Sequence, residues 1–152
     1  MERVMREHFY RGIDKEAGIW VFGNYIYLEK YREKYGVERN NVHLIMPRAF
    51  DKEKMLDSMG IEVIPETVGQ FTGLTDENNE KIFMGDIIQY LNTERKKVNA
   101  KVGFKNGTYV TQVIGVDIPP HPAFLTCKNK GGVKVIGNCH DNKELLKGLA
   151  NV

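Results

Sequence analysis

Residues 68–90 decide the fold, and they read Val68-Gly-Gln-Phe-Thr-Gly-Leu-Thr-Asp-Glu-Asn-Asn-Glu-Lys-Ile-Phe-Met-Gly-Asp-Ile-Ile-Gln-Tyr90. The stretch holds three short runs of strand-forming residues, separated by two groups of turn formers. The first group, residues 75–79, is dense in Asp and Asn, which adopt turn conformations readily. The second is Gly85-Asp86, a pair that suits a sharp bend between strands. The stretch therefore predicts three tightly connected β-strands.

Strand patterns continue on both sides of this segment. The predicted strands cover residues 9–13, 19–28, 42–46, 61–64, 98–104, 108–114, 123–127 and 133–136. Between residues 98 and 114, the dipeptide Asn106-Gly107 is the strongest short-range signal for a β-hairpin. Many short strands between turn clusters predict a mainly β fold, either a small barrel or a sandwich.

Two segments carry helical signals instead. Residues 29–36 are charged, with Tyr31 and Tyr35 at helical spacing and Gly36 placed to end a helical turn. Residues 51–60 begin with an N-capping Asp51 and end with Gly60, which predicts a short helix. We therefore expect a single domain over residues 1–152, with a β-rich core of residues 1–28 plus 61–152 and a helix-containing insertion at 29–60. A short C-terminal helix is expected over residues 142–149.

Composition sets the broad class of the protein. Its 152 residues are enough to bury a core without disulfides or metals, and 41% of them are hydrophobic, which argues against disorder. The 22 basic and 20 acidic residues nearly cancel, so only a local patch of charge could indicate a nucleic-acid partner. No apolar run approaches the roughly 18–20 residues of a membrane span, and residues 1–8 contain no apolar signal core. We expect a cytoplasmic protein with no membrane association.

Three stretches of the chain resemble the YopX family of phage and prophage proteins. They are an aromatic strand followed by a Trp-Val-aromatic-Gly run at residues 9–23, the central stretch at 67–88, and a Val-Ile-Gly-Asn run with a Leu-rich helix at 135–146. The resemblance implies an all-β fold with an SH3-like barrel, an origin in a phage or prophage within a bacterial host, and no known catalytic residues. The residues that we assign to the fold through these motifs are Trp20, Gly23, Gly69, Thr72, Gly73, Asp76, Gly85, Asp86, Gly137 and Asn138.

Four residues could supply the chemistry of an enzyme or a metal site: His121, Cys127, Cys139 and His140. Zinc sites usually contain close pairs such as Cys-x-x-Cys, whereas Cys139-His140 is the one close pair here, and adjacent strand residues point to opposite faces. We expect free thiols, no metal, no cofactor and no catalytic residue. A small enzyme that uses these residues stays open as an alternative.

A basic hairpin is the best candidate for a binding surface. Residues 91–112 contain five basic residues against Glu94 alone, and two aromatic rings lie on the same hairpin. The candidate nucleic-acid-binding residues are Arg95, Lys96, Lys97, Lys101, Phe104, Lys105 and Tyr109. Small β-barrels bind single strands through such mixtures of cations and stacking rings. The sequence thus favours a non-enzymatic binding or assembly module, and leaves open a homo-oligomer, nucleic acid, or a host or phage protein as its partner.

Overall fold

The computed structural model describes residues 7–33, 35–47, 60–120 and 132–147 of the chain. Its contacts define two compact units, Met1–Gln70 and Phe71–Val152. Both units are built almost entirely from antiparallel β-strands. Among the described residues, no helix is both long enough and apolar enough to cross a membrane.

The first unit is a sheet dominated by one long hairpin. Its strands are β1 (Tyr10–Ile13), β2 (Trp20–Arg32), β3 (Glu38–Pro47), β4 (Ile61–Glu62) and the first two residues of β5 (Gly69–Thr75), in the order β4-β3-β2-β1-β5. Pairing of β2 with β3 runs from Gly23 opposite Pro47 to Arg32 opposite Glu38. Gly23 is required in this sheet because a Cβ there would overlap the carbonyl oxygen of Met46.

The second unit contains a four-stranded sheet and a short strand pair. The sheet consists of β7 (Asp86–Leu91), β8 (Lys97–Lys105), β9 (Thr108–Val113) and β10 (Val133–Asn138), in the order β10-β7-β8-β9. The remainder of β5 pairs with β6 (Lys81–Phe83). One face of the sheet packs into a core that contains Ile82, Ile88, Tyr90, Ala100, Val102 and Val133.

Several predictions from the sequence are confirmed by these strands. The mainly β class is correct, and the hairpin of β8 and β9 turns at Asn106-Gly107, where both residues have positive φ angles of 51° and 79°. This is the geometry of a type I′ turn, whose twist matches that of the flanking strands. Of the predicted C-terminal helix over residues 142–149, Lys143–Leu146 forms a 3₁₀ turn, and residues 148 and 149 lie outside the described residues.

Other predictions need correction. The helical turn over residues 29–36 is wrong, because β2 continues to Arg32 and pairs with β3 along its length. Cross-strand pairing outweighs the weak helical preference of this charged segment. The predicted SH3-like barrel is not confirmed: β9 and β10 form the two edges of their sheet and do not pair with each other, and the described strands contain no closed barrel. The predicted helix at 51–60, except Gly60, and the strand at 123–127 lie outside the described residues.

Candidate nucleic-acid interface

The outer face of the second unit's sheet carries a group of lysines. Side chains alternate between the two faces of a strand, so Ala100 and Val102 of β8 are buried while Lys97, Lys101 and Lys105 point to the opposite face. Consecutive lysines are four positions apart, a distance of about 13 Å along the strand. Lys134 of β10 joins them on this face. We call Lys97, Lys101, Lys105 and Lys134 the lysine face.

The strand register explains why Lys134 lies on this face. It pairs with Gln89 of β7, which in turn pairs with Asn99 of β8, and directly paired residues point to the same side of a sheet. The amide of Gln89 donates to Asn99 Oδ1 at 3.1 Å. Gln112 is paired with Lys101 and adds a third amide to the same side. Lysines and amides thus share one polar surface.

The lysines of this face have no acidic partners in the part of the chain that the structure describes. Among the described residues, no carboxylate lies within 4.0 Å of the ammonium group of any of the four. The nearby Glu94 pairs instead with Lys96, at 2.8 Å, and both side chains are exposed. The described carboxylates therefore leave the positive charge of the lysine face unneutralised.

The other predicted basic residues lie at the end of the strand. Arg95 and Lys96 are in the turn between β7 and β8, where Arg95 has a φ of 58°. The side-chain oxygen of Asn92 accepts hydrogen bonds from the backbone N–H groups of Glu94 and Lys96, both at 2.9 Å, and so fixes the turn. These two cations extend the row beyond Lys97, but Lys96 is already paired.

The two predicted rings belong mainly to the other face of the hairpin. Phe104 and Tyr109 are a cross-strand pair with an edge-to-face contact, and their centroids are 5.2 Å apart. The hydroxyl of Tyr109 donates to the carbonyl of Phe71 at 3.3 Å, which holds this ring in the fold. Phe104 is 53% exposed and also lines a groove of about 200 Å³ beside Lys101 and Lys105. Phe104 therefore borders the lysines of this groove, whereas the Tyr109 ring is held by its hydrogen bond to Phe71.

The two aspartates of the central stretch at residues 67–88 accept hydrogen bonds from backbone N–H groups. Asp76 is buried, and its carboxylate accepts from the N–H groups of Asn78 (2.7 Å), Glu80 (3.0 Å) and Val135 (3.1 Å). Asp86 is also buried and accepts from the N–H of Phe83 at 2.7 Å across the bend at Gly85.

The other motif residues are distributed over both units. Thr72 Oγ1 donates to the carbonyl of Ile82 at 2.8 Å, and Asn138 Oδ1 accepts from the N–H groups of His140 (2.9 Å) and Asp141 (3.0 Å). The Arg11 guanidinium lies over the half-buried ring of Trp20, 4.6 Å from its centroid. Gly69 begins β5, Gly73 has a φ of 87°, and Gly137 marks an irregularity in the pairing of β10 with β7.

The cysteine and histidine residues do not form a site within the described part of the chain. Cys139 is a free, half-buried thiol next to His140 in the turn after β10. His121 and Cys127 lie outside the described residues. No group of three or more His, Cys, Asp or Glu residues that could hold a metal ion is found among the residues that the structure describes.

The first unit contains a row of rings that the sequence reading missed. It is formed by Tyr10 of β1, Tyr25 and Tyr27 of β2, and His43 of β3, and we call it the tyrosine–histidine row. Ring centroids are 5.3 Å apart for Tyr10 and Tyr25, 5.9 Å for Tyr25 and His43, and 5.0 Å for Tyr27 and His43. The alternation of Tyr25 and Tyr27 was visible in the sequence, but the position of His43 depends on the strand register.

Hydrogen bonds fix the rings of this row. The Tyr25 hydroxyl and His43 Nδ1 are 2.6 Å apart, and the Tyr27 hydroxyl donates to Asn41 Oδ1 at 2.5 Å. Burial raises the pKa of Tyr25 above its ordinary value of 10.0, and the neighbouring Tyr27 and Tyr10 raise this pKa further. Tyr25 is therefore a neutral phenol at physiological pH.

Comparison with known proteins gives a matching family and solved structures of similar fold. The family model described as YopX protein matches residues 9–147. The chain is similar to the crystal structure of protein EF1440 from Enterococcus faecalis, with 20% identity over 91% of this chain and 96% of that one, and a TM-score of 0.46. No curated protein matches this sequence.

Proposed function

This chain belongs to the YopX family, and we propose that it is a non-enzymatic binding module whose lysine face binds the phosphate backbone of nucleic acid. The observation that carries the proposal is the set of four lysines on one side of a sheet, without a carboxylate partner among the described residues. We expect the module to act in the cytoplasm of a bacterial host, as a protein of phage or prophage origin. Assembly into a homo-oligomer stays a prediction.

Charge and spacing support phosphate as the ligand group. A nearly neutral protein gains little from its overall charge, so attraction of a polyanion depends on a local concentration of lysines. Lys97, Lys101 and Lys105 form a line about 26 Å long, which suits an extended phosphate chain better than a single small anion. The amides of Gln89, Asn99 and Gln112 supply additional donors to phosphate or sugar oxygens.

Affinity for this surface should be strongly dependent on salt. Each neutralised phosphate contributes about −0.9 to the slope of log affinity against log salt on duplex DNA and about −0.7 on single strands. With four lysines engaged, binding should weaken on the order of a hundredfold between 50 and 200 mM salt.

The experiment is fluorescence anisotropy with a labelled 20-nucleotide single strand and the corresponding duplex. We compare wild type with a variant in which Lys97, Lys101 and Lys105 are replaced by Gln. The matched control replaces three exposed lysines elsewhere, Lys30, Lys143 and Lys147, by Gln, which changes net charge equally. We expect the first variant to lose at least tenfold in affinity and most of its salt dependence. Equal affinity of the two variants would show that the lysine face is not the binding surface.

A further inference from the structure

We propose that the tyrosine–histidine row of the first unit is a stacking platform for unpaired nucleobases. The inference rests on the proposed function and deepens it, because it names single-stranded nucleic acid as the substrate class. The lysine face supplies cations with little ring surface, whereas the row supplies rings of the kind that splayed bases stack on. The lysine face belongs to the second unit and the tyrosine–histidine row to the first.

The placement of the rings suits planar ligands. The row crosses three adjacent strands, β1, β2 and β3, on one face of the sheet. Neighbouring centroids are 5.0 to 5.9 Å apart, and the rings are tilted by 32° to 47° to one another. Tyr27 is 49% exposed, so part of its ring is open to a ligand. Sheet-borne tyrosines and histidines in this arrangement offer π-faces to every base alike.

The rings are fixed before any ligand binds. His43 and Asn41 hold the hydroxyls of Tyr25 and Tyr27 respectively. A side chain that is already immobilised loses little conformational entropy on binding, which improves affinity. The conformational entropy that an exposed ring normally loses on binding is therefore already lost when this protein folds.

Asn41 provides a second, independent observation. It lies within β3 but has a φ of 56°, a left-handed conformation that costs a residue with a side chain some strain. Such conformations concentrate at ligand sites. The exposed carboxamide accepts the Tyr27 hydroxyl through its oxygen, and its Nδ2 group makes no hydrogen bond within the described part of the chain. Nδ2 is thus placed to donate to the edge of a base stacked on Tyr27.

The test separates bases from phosphates. Anisotropy is measured with labelled dT12 and with an abasic 12-mer, which has the same phosphates but no bases. We expect wild type to bind dT12 at least fivefold more tightly than the abasic strand, since one stacked base contributes that much or more. Tyr27→Ala and His43→Ala should abolish the difference, whereas Tyr27→Phe, which keeps the ring, should retain most of it. The control is Tyr35→Ala, because Tyr35 is 90% exposed in the turn between β2 and β3.

Each result has one interpretation. Equal binding of dT12 and the abasic strand overturns the platform and leaves the lysine face intact as a phosphate site. No binding of either strand overturns both proposals. Displacement of dT12 by a neutral oligosaccharide also overturns the inference, because the row would then be a sugar platform. Urea unfolding of every variant identifies any that fails to fold, and Tyr27→Phe then decides the outcome.

Discussion

In the first unit Arg39 and Lys15 both bind the carboxylate of Glu62, at 2.6 and 2.9 Å, whereas in the second unit Lys97 and Lys101 lie on a sheet face without acidic partners among the described residues. Polar side chains of the first unit mostly bind other side chains, in the pairs Arg39–Glu62, Lys15–Glu62, Arg32–Glu38, Tyr25–His43 and Tyr27–Asn41. Those of the second unit mostly bind backbone, through Asp76, Asp86, Asn92 and Asn138.

The way in which each unit uses its carboxylates determines which basic side chains stay unpaired among the described residues. The second unit uses its buried carboxylates to fix turns, so they are not available to neutralise lysines on the sheet. In the first unit Glu62 pairs with Arg39 and Lys15, and Glu38 pairs with Arg32, while Asp14 accepts hydrogen bonds from backbone N–H groups. The two buried aspartates of the second unit thus bind backbone N–H groups and do not pair with the lysine face.

The largest change in the free energy of unfolding is expected from Asp76→Ala. Three backbone N–H groups would lose their acceptor, and two of them tie the 75–79 turn while the third belongs to Val135 of β10. Hydrogen bonds to a charged group contribute about 1.5–3 kcal/mol each when measured singly, and part of this is recovered by water, so we expect a loss of about 3 kcal/mol. Urea unfolding measures it, with the exposed neighbour Glu80→Ala as control. If Asp76→Ala lost no more stability than Glu80→Ala, the proposed difference between the two units would be wrong.

An intermediate effect of opposite sign is expected from Thr111→Val. Thr111 is fully buried in β9, opposite Val102, and its hydroxyl has no hydrogen-bond partner in the part of the chain that the structure describes. Removing an unsatisfied buried hydroxyl while keeping its shape should stabilise the protein by about 1 kcal/mol.

Thr72→Val is the matched control for that substitution. Thr72 is also buried, but its hydroxyl donates to the carbonyl of Ile82 and accepts from the N–H of Leu74. The same change should therefore destabilise the protein by about 1 kcal/mol. Thermal unfolding of both variants compares them, and shifts of the same sign would contradict this account of the second unit.

The smallest change in stability is expected when low pH weakens the ion pairs of the first unit. Hydrogen bonds from Arg39 and then Lys15 lower the pKa of Glu62 below its ordinary value of 4.5. The stabilisation that this provides is present above pH 4.5 and is lost as the pH falls through the lower pKa of the folded state. We expect it to amount to less than about 1 kcal/mol, as for other partly exposed pairs.

Urea midpoints between pH 7 and pH 3 test this expectation. Glu62→Gln should flatten the acid side of the stability curve, while Glu38→Gln, which removes only the exposed pair with Arg32, should leave it nearly unchanged. The expectation would be wrong if Glu62→Gln lowered the free energy of unfolding as much as Asp76→Ala does. Side-chain ion pairs would then stabilise the first unit as strongly as hydrogen bonds to backbone stabilise the second.

Local features of the chain were predictable because their causes are local. Asn106-Gly107 forms its turn through the positive φ angles of two consecutive residues, and Asn79 takes the left-handed conformation, with a φ of 64°, in the turn after Asp76. The period of two along β8 separates Lys101 and Lys105 from Phe104 without reference to any other strand. The mainly β class, the hairpin and the row of lysines could therefore be derived from the sequence alone.

The tertiary structure decided which residues from distant parts of the chain meet. Residues 29–32 are charged and include Tyr31, which lies at helical spacing from Tyr35. They form part of a strand because they pair with β3. The same register places His43 beside Tyr27, a contact that no local pattern encodes. Lys134 reaches the lysine face because β10 pairs with β7, more than forty residues earlier in the chain. Backbone preferences are fixed within a few residues, whereas side-chain partners across a sheet depend on register, which the whole fold sets.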